Sequence, residues 1–171
     1  MISATITIRR LDETHDSIPR LTELLHRAYK RLADMGLRFL ATHQTDEQTL
    51  ERARDGECYL AIEDGEIIGT ITYYPPALAH GTPWYDQPDV ASLGQFAVEP
   101  ALQGRGIGNM LLAHVELLAR RDGAAEIALD TSEKAHHLIE YYGRHGYRFV
   151  GHTQWSVVNY RSVVMSRSLA E

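Results

Sequence analysis

This 171-residue chain is short of several things, and each shortage closes a route. It has one cysteine, Cys58, so no intramolecular disulfide framework can form. That suits a reducing compartment, and a cytoplasmic location is expected. No apolar run reaches the ~20 residues of a membrane span. The first ten residues, MISATITIRR, lack the apolar stretch of a signal peptide. Positive charge is scarce too: 17 Lys and Arg against 23 Asp and Glu give a formal net charge of −6. Nucleic acid is therefore a poor candidate partner, and Arg120-Arg121 is too short a run to change that. The nine histidines include no H-E-x-x-H spacing, and the adjacent His136 and His137 face different directions on a helix. No metal is expected. There is no G-x-S-x-G nucleophile elbow, no internal repeat and no low-complexity segment. What remains is an ordinary globular composition, 44% hydrophobic, long enough for one domain spanning 1–171 with its own core.

Periodicity supplies the elements. Ile6 and Ile8 alternate with polar residues in a first strand. Leu21, Leu24, Leu25, Ala28 and Leu32 recur at helical spacing. Thr45 and Gln48 can form a capping box for a second helix. Strands are expected at 59–63 and 67–74, joined by an Asp64-Gly65 hairpin turn and stopped by Pro75-Pro76. Residues 77–91 form a long loop, either a substrate loop or a plain connection. A strand at 92–98 leads to a glycine-rich loop and an apolar helix through Met110, Leu111, Leu112, Val115, Leu118 and Ala119. A short strand at 126–130 follows, then a helix capped by Ser132, then strands at 147–153 and 162–168. The order predicts an α/β domain built on a single sheet.

The loop QGRGIG, 103–108, is the most pointed feature. A helix start presents unpaired N–H groups and a partial positive charge, and glycine lets the backbone close around an anion. A pyrophosphate would fit. The lysine and hydroxyl of a P-loop do not follow Gly108, and the Rossmann spacing G-x-G-x-x-G is not met. A glycine connection that binds nothing stays open on composition alone.

The wider stretch FAVEPALQGRGIGNMLL, 96–112, resembles the acetyl-CoA segment of the GNAT superfamily of N-acetyltransferases. Gln103, Gly106 and Gly108 fill its [Q/R]-x-x-G-x-[G/A] pattern, after Val98-Glu99-Pro100 and before Leu111-Leu112. A second stretch, AHHLIEYYGRHGYRFVG at 135–151, resembles the family's C-terminal helix. Its tyrosine four residues before the glycine is Tyr142. The resemblance implies a mixed, mostly antiparallel sheet of six to seven strands, flanked by about four helices, with splayed central parallel strands. It implies acetyl-CoA as cosubstrate and a primary amine, of a small molecule or peptide, as acceptor. Phe96, Ala97 and Val98 would run along the pantetheine arm. Gln103, Gly104, Arg105, Gly106, Ile107, Gly108 and Asn109 would cradle the pyrophosphate. Val98 N–H would hold the developing oxyanion, and Tyr142 would protonate the leaving thiolate. A thiol ionises near pH ~8.5, so a positioned acid helps it leave, by roughly 10² to 10⁴ in rate.

Read without the resemblance, Tyr142 is a core aromatic. Two departures matter. Ser92 stands where many members carry a basic glutamate, which leaves Asp130, Glu99 and His80 as candidate bases. Ala135 replaces an asparagine often found at the last helix, where Thr131 or Ser132 could substitute as a cofactor contact. The missing glutamate keeps a second function open: an acyl-CoA-binding sensor or interaction module without catalysis. Residues 34–43, 77–91 and 153–160, with Trp155 and Tyr160 foremost, are expected to line the acceptor pocket. A homodimer through the last strands is a further expectation of the resemblance.

Overall fold

A computed structural model describes residues 5–170. Strand β1 (Thr7–Arg10) leads into helices α1 (Ile18–Ala28) and α2 (Lys30–Asp34), a single 3-10 turn and helix α3 (Asp46–Arg54). Strands β2 (Glu57–Glu63), β3 (Glu66–Tyr74) and β4 (Val90–Val98) follow, then helix α4 (Ile107–Arg121). Strand β5 (Glu126–Ser132), helix α5 (His136–Arg144) and strands β6 (Arg148–Thr153) and β7 (Ser162–Ser168) complete the chain. All seven strands form one sheet in the order β1-β2-β3-β4-β5-β7-β6. Every neighbouring pair is antiparallel except β4 with β5.

The expected capping box is present: Gln48 N–H donates to Thr45 Oγ1, while Thr45 N–H donates to the Gln48 side chain. The Asp64-Gly65 turn closes the β2–β3 hairpin with both residues at positive φ. Helix α4 buries Ile107, Leu111, Leu112, Val115 and Ala119, each at most 1% exposed, against β3, β4 and β5. Burial of each large side chain in that stripe is worth about 1.5–3 kcal/mol.

Three expectations need correction. The first helix is broken rather than continuous. Tyr29 leaves helical geometry at φ −92°, ψ 1°, and its ring turns inward onto Phe39 with centroids 5.6 Å apart. Ser132 does not cap the last helix. It ends β5 opposite Ser162, its hydroxyl accepts from Lys134 N–H, and the residue before α5 is Ala135. Cys58 lies inside β2, where it is buried, rather than ahead of it.

The parallel pair is where the fold makes room for chemistry. Strands β4 and β5 pair only at Val90 with Glu126, Ala91 with Ile127 and Ser92 with Ala128. Beyond Ser92 they separate. A bulge in β4 falls where they part: Gly94 and Ala97 pair with Thr72 and Thr70, so two residues of β4 face one of β3. Gln95, within the bulge, has φ +45°, which is uncommon for a residue with a side chain.

Candidate active site

The splay opens two cavities, one on each side of a shared wall. The outer one, of about 1160 Å³, is lined by β4, the glycine loop, the start of α4, α5 and the α1–α2 break. The inner one, of about 720 Å³, is lined by β4, β5, α3 and the loops at 77–80 and 155–160. Tyr29, Phe96, Leu138 and Tyr142 belong to both walls.

The outer cavity gathers nearly every residue expected to hold acetyl-CoA. Phe96, Ala97, Val98, Gln103, Gly104, Gly106, Ile107, Gly108 and Asn109 all line it. Backbone direction follows from the ladder. Glu99 N–H donates to Ile68 O at 2.9 Å, on the β3 side. Alternation therefore turns the amides of Val98 and Phe96 the other way, into the splay. Tyr29 confirms that direction, since its hydroxyl donates to Phe96 O at 3.1 Å. Gly106 stands at the N-cap of α4 with φ +82°, and Gly104 has φ +89°. No side chain caps that helix, and the glycines at 104, 106 and 108 keep Cβ atoms away from three positions of the loop leading into it. The arrangement fits a pyrophosphate.

Two of the expected contacts lie elsewhere. Arg105 points back across the sheet and pairs with Glu63 at 2.6 Å. Thr131 lines the inner cavity instead, where its buried hydroxyl has no partner among the described residues.

Tyr142 and Tyr141 separate clearly. Tyr141 lines only the outer cavity, and its hydroxyl donates to Asn109 Oδ1 at 2.9 Å. Tyr142 is 8% exposed, sits on the shared wall and touches the rings of Phe96, Tyr141 and Tyr147. Burial pushes its phenol well above the ordinary value, and neighbouring Tyr29, Tyr141 and Asp130 add to the shift. It therefore keeps its proton at neutral pH.

Of the three candidate bases, Asp130 has the right surroundings. Glu99 is tied to Arg27 at 2.7 Å, away from the inner cavity. His80 is an exposed residue on the cavity's rim. Asp130 is on the inner wall, two residues beyond the last β4–β5 pair. Tyr85 donates to Oδ1 at 2.7 Å and Trp155 Nε1 to Oδ2 at 2.8 Å. Burial nevertheless dominates these donors and raises the carboxyl above the usual carboxylate range.

The expected acceptor-pocket segments do converge here. Phe39 stacks on Tyr160 with centroids 4.6 Å apart, and Asn159 bridges Arg38 N–H and Gly36 O. Trp155 packs so closely on Gly81 that a Cβ there would lie 2.8 Å from its ring. Sequence reasoning missed the far wall, where Arg52 of α3 enters the same cavity, its Nη1 donating to the Gln44 side chain at 2.7 Å. Arg52 reads locally as a helix-surface charge, and no periodicity links it to β4.

The family model for acetyltransferases (GNAT) matches residues 18–147. The chain belongs to the GNAT family. This GNAT acetyltransferase is 38% identical over 133 residues to the S-(2-succino)cysteine N-acetyltransferase of Bacillus subtilis (strain 168), across 75% of this chain and 76% of that protein. It is 32% identical over 89 residues to the aminoalkylphosphonate N-acetyltransferase of Salmonella typhimurium, across 52% of this chain and 54% of that protein. Among solved structures, PH1933 from Pyrococcus horikoshii OT3 superposes with a TM-score of 0.73 at 19% identity, covering 96% of this chain and 98% of the other. A GNAT family acetyltransferase from Elizabethkingia anophelis with acetyl-CoA bound gives 0.65 at 20% identity, covering 95% and 97%. At such identity these two likenesses speak for the fold. The seven-stranded sheet with five helices is therefore the GNAT arrangement.

Proposed function

We propose that this GNAT acetyltransferase moves the acetyl group of acetyl-CoA onto the primary amine of a small molecule, by direct attack with both substrates bound. The observation that carries this reading is the meeting of two cavities at one buried tyrosine. The outer cavity offers a glycine-lined helix start for a pyrophosphate and free strand amides for the pantetheine arm. The inner cavity offers a buried carboxylate for the amine. When bound, acetyl-CoA supplies the activated acyl group.

Each remaining task falls to a residue of this chain. Asp130 takes the amine's proton, a role open because Ser92 has no basic side chain. Its raised pKa brings it closer to working pH, which suits a base. Tyr85 and Trp155 fix its orientation. Val98 N–H, turned into the splay, is placed to hold developing negative charge on oxygen. Tyr142 delivers a proton to the departing sulfur.

The names of both relatives denote small amines, which supports a small-molecule acceptor over a protein terminus. Family membership and these enzyme relatives favour catalysis over a binding-only module. The test is acetylation of an amine panel read by mass spectrometry. N-acetylated product with release of CoA is expected. CoA binding without turnover on any amine would instead leave a binding module.

A further inference from the structure

We infer that the acceptor is an amine that also carries an acidic group, a carboxylate or phosphonate, and that Arg52 binds that group. The inference rests on the acetyl-transfer reading, since it names the acceptor of the same site.

One arginine on the inner wall has no anion beside it. Arg52 is half-buried on the inner cavity wall. No carboxylate of the described residues lies within 4.0 Å of it, whereas Arg9, Arg27, Arg54, Arg105 and Arg148 each hold one. Its recorded partner is a neutral amide, Gln44 Oε1. Gln44 is only 1% exposed and is itself fixed, with Nε2 donating to Thr49 Oγ1 at 2.8 Å and to Gln95 Oε1 at 3.0 Å. The chain thus positions the guanidinium through a buried network while giving it no ion-pair partner among the described residues, Asp130 acting on it only through space. A guanidinium has five N–H donors, and its fork matches a carboxylate or phosphonate with two parallel bonds.

The two carboxylates on the cavity wall do not take this place. Asp130 forms no ion pair with Arg52 within 4.0 Å and feels that cation only through space, while its two oxygens accept from Tyr85 and Trp155 and keep room for an amine. Asp55 is exposed at the end of α3, three residues along the same helix, and forms no ion pair with Arg52. The rest of the wall is mostly aromatic, aliphatic or hydroxyl-bearing, including Tyr29, Tyr74 and Tyr160, with the Gln95 amide and, on the rim, His80. One cation enters from α3 and one buried anion from β5, on either side of β4. An acceptor with both charges satisfies both. A purely apolar amine would enclose Arg52 with no counterion, which is costly.

The test uses S-carboxymethylcysteine and 2-aminoethylphosphonate, each beside its fully esterified form, at saturating acetyl-CoA. The wild type, Arg52→Gln and Arg52→Lys are compared by steady-state kinetics. The acids should be acetylated with kcat/KM at least about tenfold above their esters, as expected for a charge-assisted pair. Arg52→Gln should raise KM for the acids about tenfold or more, keep kcat within about threefold and erase the preference. Arg52→Lys should fall between. Esters used as well as acids, or an unchanged KM in Arg52→Gln, would overturn the inference while acetyl transfer stands. If no probe is acetylated, the transfer reading fails for these amines, and melting of the CoA-saturated protein decides. A rise with the acids but not the esters, lost in Arg52→Gln, upholds the Arg52 site; no such rise overturns it. Should Arg52→Gln lose CoA binding through misfolding, the acid–ester ratios of wild type and Arg52→Lys decide alone.

Discussion

Adjacent tyrosines on one helix point about 100° apart, and here that angle separates two jobs. Tyr141 braces Asn109 at the mouth of α4, while Tyr142 is buried where the cavities meet. Tyr142→Phe should lower kcat by roughly 10² or more, with CoA affinity within about twofold of wild type. Tyr141→Phe should leave turnover near normal. Steady-state kinetics and calorimetry read both. Asp130 gives a pH prediction. Burial raises its pKa, and a base works only when ionised, so activity falls as pH drops through that raised value. The acidic limb of kcat/KM should lie above the ordinary Asp value near ~4, and Asp130→Asn should lower turnover and abolish the limb. The sequence shows Tyr142 because its spacing to Gly146 is local. It does not show Arg52, whose place depends on Gln44 reaching Gln95, 51 residues away.

Elements inherit their function from how they end and where they break. Gly106 starts α4 at φ +82°, in open space, so the backbone angle alone demands glycine. A side chain at such an angle costs about 1–2 kcal/mol and would stand in the anion's path. Gly106→Val should weaken CoA binding tenfold or more by calorimetry, a loss of about 1.4 kcal/mol or greater. The existence of each strand, the Asp64-Gly65 hairpin and the Thr45 capping box were legible because each is written in a few consecutive residues, whereas the ends of β2, β4 and β5 were not. The break at Tyr29 was not. At the break the Tyr29 hydroxyl donates to Phe96 O, 67 residues away, while helical spacing of leucines continues through it. The bulge at Gln95 was hidden for the same reason, since a strand of ordinary residues shows no sign of its partner's register.

At the scale of the whole molecule, one sheet is opened at the parallel β4–β5 pair, and both cavities lie at that opening. The two halves, β1 to β4 and β5 to β7, share just three paired positions. A ligand filling the splay therefore joins them. Acetyl-CoA at about 100 times its Kd should stabilise the native state by roughly 2.7 kcal/mol and raise Tm by about 5–10 °C, measured by calorimetric scanning. Tyr142, where the outer and inner cavities meet, is the proposed acid of transfer. Its most direct test is single-turnover acetylation by wild type and Tyr142→Phe, both saturated with acetyl-CoA, using the best amine of a panel and detecting product by mass spectrometry. Rapid N-acetyl product is expected from wild type, with a rate lower by roughly 10² or more in the variant at equal CoA occupancy. Equal rates in the two proteins would contradict that role.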